Sequence, residues 1–235
     1  EFWDRFDSAR PLARRRVFVL KCIKEMLRGL SFMHQNNRLH QSLGPNSLVL
    51  STTQERDAYT LQVRLQDMAF AVDMSGEALV GGATLAEVWE QNNIEAESNP
   101  TRAMADPLWR RARAAGAWTP EEQKHFGVAD DVFAAGLLVA FMAYIPFCKP
   151  GSIDGASLQR LFESTFQLDI DGMREYSDAD ENWQDAVAFL DIGNGAGWDL
   201  LKAMLSPDWK RRPSAASCLS HPFLNGETLQ SEASN

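Results

Sequence analysis

The chain has 235 residues, enough for one large domain or two small ones, and its 45% hydrophobic and 23% charged content excludes disordered and fibrous classes. A net charge of −9 disfavours nonspecific nucleic-acid binding, which needs a positive surface. Three well-separated cysteines (Cys22, Cys148 and Cys218) lack zinc or disulfide-framework spacing and fit a reducing compartment such as cytosol, nucleus or an organelle matrix.

The chain opens on Glu1-Phe2-Trp3-Asp4 without an initiator Met, as a processed or incomplete chain does, so targeting information is not expected here. From about residue 11 to 34, Val17, Leu20, Ile23, Leu27 and Leu30 recur at helical spacing, and Pro11 suits a first turn. Cys22 falls inside that apolar pattern as a small buried hydrophobe. The Arg14-Arg15-Arg16 and Arg110-Arg111-Arg113 clusters are expected on solvated helix faces. Two β-prone runs, 47–51 and 60–65, flank the polar stretch 52–59 and predict a hairpin with a slightly long turn. A long polar insertion follows from Ala69 to Trp118, with helix-prone pieces near 84–91 and 107–115, and His125 is placed in a loop.

The longest uncharged run, Val132 to Cys148, is shorter than the roughly 20 residues of a membrane-spanning helix and contains Pro146. A buried helix is expected there, and no transmembrane segment. Gly193, Gly195 and Gly197 alternate too closely for a phosphate-cradling Gly-x-Gly-x-x-Gly and read as a loop and helix cap before Trp198. No histidine has metal-ligand spacing.

Several segments, in a fixed order, carry a resemblance. Leu27, Leu30, Phe32 and His34 form one pattern; Leu39 to Leu50 reads Leu-His-Gln-Ser-Leu-Gly-Pro-Asn-Ser-Leu-Val-Leu; then come Asp67-Met68-Ala69, Thr119-Pro120-Glu121, Asp131-Val132-Phe133-Ala134-Ala135-Gly136, Leu205 to Ser214, and His221-Pro222-Phe223-Leu224. Together they are similar to the protein kinase signatures from the catalytic loop onward. The resemblance implies a mainly α fold over 1–225, the C-terminal lobe of a kinase with a small β-hairpin beneath the catalytic-loop region. Residues 1–6 correspond to the short helix after the interlobe hinge, 69–118 to an expanded activation-segment-like insertion, and 226–235 to a polar tail. The stretch 168–180, with Gly195-Ala196-Gly197-Trp198, also resembles atypical plant kinase-like proteins of plastids, which suggests a plastid location.

The resemblance also implies lost chemistry. Kinases use the Asp of His-Arg-Asp to accept the substrate hydroxyl proton and a downstream Asn to hold magnesium. Here His40, Leu43 and Pro45 are kept, but Ser42 replaces the Asp, Ser47 the Asn, Gly44 the Lys near the transferred phosphate, and Gln41 the Arg. A hydroxyl with an alcohol-like pKa is no proton acceptor near neutral pH. In Asp67-Met68-Ala69, the counterpart of Asp-Phe-Gly, Asp67 either keeps one magnesium ligand or caps a turn. Met68 is expected to fill the apolar slot of the Phe, and Ala69 resists the backbone angles Gly allows. His40 implies an internal structural role, as does Asp131. Glu121 and Arg212 imply the family's buried ion pair.

The expectation is a catalytically inactive, pseudokinase-type scaffold or structural subunit that binds protein partners in a larger assembly. The Gly-rich phosphate loop and its Lys do not occur in the sequence, so ATP and magnesium are not expected as cofactors. Trp89, Trp109, Trp118 and Trp183 are either interface anchors or core. The alternatives are an atypical serine/threonine kinase whose N-terminal lobe lies outside this chain, or a nucleotide sensor that binds ATP without transferring phosphate.

Overall fold

The computed structural model describes residues 12–75 and 100–225. Helix α1 (Leu12–Gln35) buries Phe18, Val19, Cys22, Ile23, Met26, Leu27 and Leu30, the one-sided spacing that drives an amphipathic helix onto a core. It ends where Asn37 turns left-handed at φ 54, a conformation Asn tolerates better than most residues. Lys124 Nζ donates to Asn37 Oδ1 at 2.9 Å and ties this end to the next long helix.

Two small antiparallel pairs follow. Strands β2 (Leu48–Leu50) and β3 (Val63–Leu65) form the expected hairpin in the register Leu48↔Leu65, Val49↔Arg64, Leu50↔Val63. Strands β1 (Arg38–Leu39) and β4 (Val72–Asp73) close the two ends of the intervening loop, with an Arg38–Asp73 ion pair on their rim.

The polar stretch between the hairpin strands is more than a solvated turn. Its short 3₁₀ turn Glu55–Asp57 buries Glu55 against Arg15 of α1. Arg15 Nε donates to Glu55 Oε1 at 3.1 Å, and Nη1 donates to the Pro146 carbonyl at 2.8 Å. The solvated face expected for Arg14 to Arg16 is therefore wrong at Arg15, which finds a buried acid 40 residues away.

Helix α2 (Pro100–Ala114) starts earlier than the helix-prone piece at 107–115; the other piece, at 84–91, and Trp89 lie outside the described residues. Leu108, Ala112, Ala117 and Phe126 join Leu39, Val72 and Met74 in a small second core.

Helix α3 (Pro120–Tyr144) runs through the main core. Its start is a reciprocal capping box: Thr119 Oγ1 accepts the Glu122 N–H, and Glu122 Oε2 accepts the Thr119 N–H, with Pro120 in the first turn. His125 therefore sits on a helix, in place of the expected loop. Among the described helices α3 alone is long and apolar enough to cross a membrane, and 72% of its apolar window is buried inside the protein. Gly127 lets this helix approach the catalytic-type loop, since a Cβ there would lie 2.4 Å from Leu39 Cδ1. Tyr144, at the far end, packs edge-on against Phe162, Trp183 and Trp198 and bonds Ser177 Oγ at 2.6 Å.

The remaining elements wrap α3: α4 (Gly155–Arg160) with a π-turn at Leu161–Thr165, α5 (Ile170–Asp178), α6 (Gln184–Leu190), α7 (Ile192–Met204), α8 (Ala215–Leu219) and α9 (Pro222–Asn225). Three successive left-handed residues, Gly193, Asn194 and Gly195, break the start of α7, the site expected to be a loop and cap. Trp183 is core, whereas Trp118 is 70% exposed. All three cysteines are buried and free, and burial pushes the thiols of Cys148 and Cys218 up to about 12 and raises that of Cys22 further.

Two outcomes follow from this packing. Glu55→Ala leaves a buried guanidinium without its acid and should cost about 3–5 kcal/mol in urea unfolding, while Arg15→Met with Glu55→Leu recovers most of it. Because thiolates are the reactive form, native protein at pH 8 should leave a thiol reagent nearly unconsumed until denaturant is added.

Candidate functional site

The loop between β1 and β2 carries the residues singled out by the sequence, and its shape is set by one acid on α3. Asp131 is 1% exposed, and both its oxygens are used. Oδ2 accepts the His40 N–H at 2.7 Å and His34 Nε2 at 3.0 Å; Oδ1 accepts the Gln41 N–H and Gln41 Nε2, each at 2.9 Å. The two successive amides converge on one carboxylate because Gln41 adopts φ 60, a strained conformation for a residue with a Cβ. Asp131, His34 and His40 meet in one buried hydrogen-bonded cluster.

His40 is fully buried and its Nε2 donates to the Gln66 carbonyl at 2.9 Å, which leaves Nδ1 as the acceptor facing the Ser42 N–H at 3.3 Å. The Ser42 hydroxyl donates to the Asp67 carbonyl at 2.9 Å. Ser47 is also buried: its hydroxyl donates to the Ser42 carbonyl at 2.8 Å and accepts the Gly44 N–H at 3.0 Å. Ser47 thus closes bonds inside the loop, and Ser42 ties the loop to Asp67 beyond β3. Ser42 Oγ lies 3.4 Å from His40 Nδ1, a weak contact, and its proton is given to the Asp67 carbonyl, so this pair lacks the arrangement of an activated nucleophile.

Asp67 is exposed and left-handed at φ 64, and it starts the 3₁₀ turn Met68–Phe70. The expectation that Met68 fills an apolar slot is wrong. Met68 is 42% and Phe70 49% exposed, because the bend at Asp67 carries the chain away from the core. The positive φ sits at Asp67, and Ala69 needs none. No group of three or more His, Cys, Asp or Glu able to hold a metal occurs among the described residues.

The expected Glu121–Arg212 ion pair is absent. Glu121 occupies the first turn of α3 with its side chain 74% exposed, 3.4 Å from His125. Arg212 spends its donors on carbonyls instead, Nε on Ser206 O at 2.8 Å and Nη1 on Ala129 O at 3.2 Å, and stacks over the Phe133 ring at 4.6 Å. The insertion is fastened by other atoms. Arg111 of α2 forms a fork with Asp130 of α3 at 2.8 and 2.9 Å, and Trp209 Nε1 donates to the Ala115 carbonyl at 3.1 Å. Arg111 is exposed, as expected of the Arg110 to Arg113 cluster, and its ion pair with Asp130 lies at the surface.

Beside the loop lies a groove of about 1010 Å³ whose apolar walls include Leu43, Pro45, Phe133, Leu137, Ile153 and Phe162. Nothing in the linear sequence announced it, since its walls come from the loop, α3 and the α4 region.

The protein kinase domain family matches residues 12–224 of the chain. Among solved structures, a Stt7 homolog from Micromonas algae, soaked with ATP, aligns with a TM-score of 0.53 at 22% identity, covering 88% of this chain and 56% of that one. The chain thus spans little more than half the length of that relative, and the likeness concerns the fold.

Replacing Asp131 by Asn keeps the shape, turns one acceptor into a donor and removes the charge that four donors address. Unfolding in urea should show a loss of about 3 kcal/mol or more, against about 1 kcal/mol for Ser47→Ala, which removes one buried hydroxyl and its loop bonds.

Proposed function

The chain belongs to the protein kinase family, and we propose that it serves there as a pseudokinase-type large lobe, a catalytically inactive scaffold or structural subunit. The observation that carries this reading is the fate of the two serines. Phosphoryl transfer needs a base for the acceptor hydroxyl and oxygen ligands for magnesium. Ser42 holds its proton in a bond to Asp67 O, and Ser47 Oγ is closed between Ser42 O and Gly44 N, so neither is poised for those tasks. The apolar groove beside the loop, together with exposed Met68, Phe70 and Trp118, supplies surface for protein contacts. Asp67 keeps one possible magnesium ligand, and a plastid, or another reducing compartment, is the location this reading carries.

A second reading has one observation behind it. The relative's chain is much longer than the part matched here, and an upper lobe outside this chain, with Asp67 retained, would make an atypical serine/threonine kinase. Incubating the full-length polypeptide with labelled ATP, magnesium and a generic acceptor separates the two. Inactivity predicts background transfer, equal in wild type and Asp67→Asn; transfer abolished by Asp67→Asn overturns it. A thermal-shift titration addresses nucleotide sensing. A ligand at about 100 times its Kd adds about 2.7 kcal/mol, or roughly 5–10 °C for a domain of this size, and the scaffold reading expects no shift.

A further inference from the structure

Arg212 is a cation that, among the described residues, has no direct ion pair. A guanidinium offers five N–H donors, and here Ser206 O and Ala129 O engage Nε and Nη1 without neutralising anything. Burial lowers its pKa, the direction of a charge taken from water without a matching acid, with Asp130 and Asp208 opposing this from a distance. Each neighbouring carboxylate is occupied. Asp130 is in the Arg111 fork, Glu121 is beside His125, Glu122 binds the Trp118 and Thr119 N–H groups, and Asp208 accepts the Lys210 N–H at 3.0 Å. Among the described residues no carboxylate lies within ion-pair distance of Arg212.

Arg212 also lines a cavity of about 320 Å³ between the start of α3 and residues 209–214. Trp209, Val128 and Pro213 give it apolar walls, and exposed His125 and Lys210 add two basic groups, Lys210 Nζ lying 5.4 Å from the Trp209 ring. We propose that this cavity receives the carboxylate side chain of an acidic segment from a partner protein. Arg212 supplies the donors, Lys210 and His125 the outer charge, and the apolar walls hold the side-chain stem. A singly charged carboxylate fits better than a phosphate, because Glu122 stands in the lining and Asp130 and Asp208 act on Arg212 from nearby, and all three oppose a second negative charge. This inference rests on the scaffold reading only in taking the occupant to be a protein. Phosphate transfer plays no part in it, so either can fail alone.

The test uses the full chain and a fluorescent peptide of alternating Glu and Leu, with a matched Gln–Leu peptide and inorganic phosphate as controls. The Glu peptide should bind saturably and more weakly as salt rises, and the Gln peptide should bind at least about 10-fold more weakly. Arg212→Lys, which keeps the charge and loses the fork, should lower affinity by a similar factor. Because Arg212 also braces the fold, the surface pair Lys210→Gln with His125→Gln provides the independent check, with an expected loss of about 3-fold or more. Equal binding of both peptides, insensitivity to both variants, or displacement of the Glu peptide by stoichiometric phosphate would each overturn the proposal.

Discussion

A single buried carboxylate, Asp131, holds the catalytic-type loop in place. It receives two backbone amides of the loop, one loop side chain and one imidazole from α1, so α1, α3 and the loop meet at one charge. Hydrogen bonds to a charged group are stronger than neutral ones, and a buried charge that lost them would carry its whole desolvation cost. The loop therefore keeps its backbone path whatever occupies its side-chain positions.

The polar residues of the loop are engaged within the protein. Ser42 bonds the Asp67 carbonyl and joins the loop to the segment after β3. Ser47 bridges Ser42 O and Gly44 N within five residues. Gln41, at the position where kinases have an Arg, turns its amide back to Asp131. The loop is a closed hydrogen-bonded unit. The insertion follows the same logic. The fork of Arg111 with Asp130 fastens it to α3, and the bond from Trp209 to Ala115 fastens it to the turn at residues 209–211, without a Glu121–Arg212 staple.

The fold was largely legible because its signals are local. Helical spacing marked α1, the alternation of short apolar runs marked the β2–β3 hairpin, and motif order marked the loop, α3 and the last helices. Motif order likewise drew attention to His40 and Asp131, which the fold joins directly. The misreadings share a physical cause, which is pairing across long sequence separations. Arg15 finds Glu55 and Pro146 O, neither of which a charge cluster reveals. Glu121 failed as an ion-pair partner because Thr119 and Glu122 had already fixed the start of α3, turning position 121 outward. Met68 failed because a left-handed Asp67 redirected the chain. The groove was invisible because its walls belong to distant segments.

The account stands on Asp131 gripping two loop amides so firmly that the loop opens only with the whole domain. Native-state hydrogen exchange of the His40 and Gln41 amides measures this directly. Exchange as slow as that of the α1 core amides, governed by global unfolding, is the expected result. Exchange at the rate of exposed loop amides such as that of Met68 would contradict it.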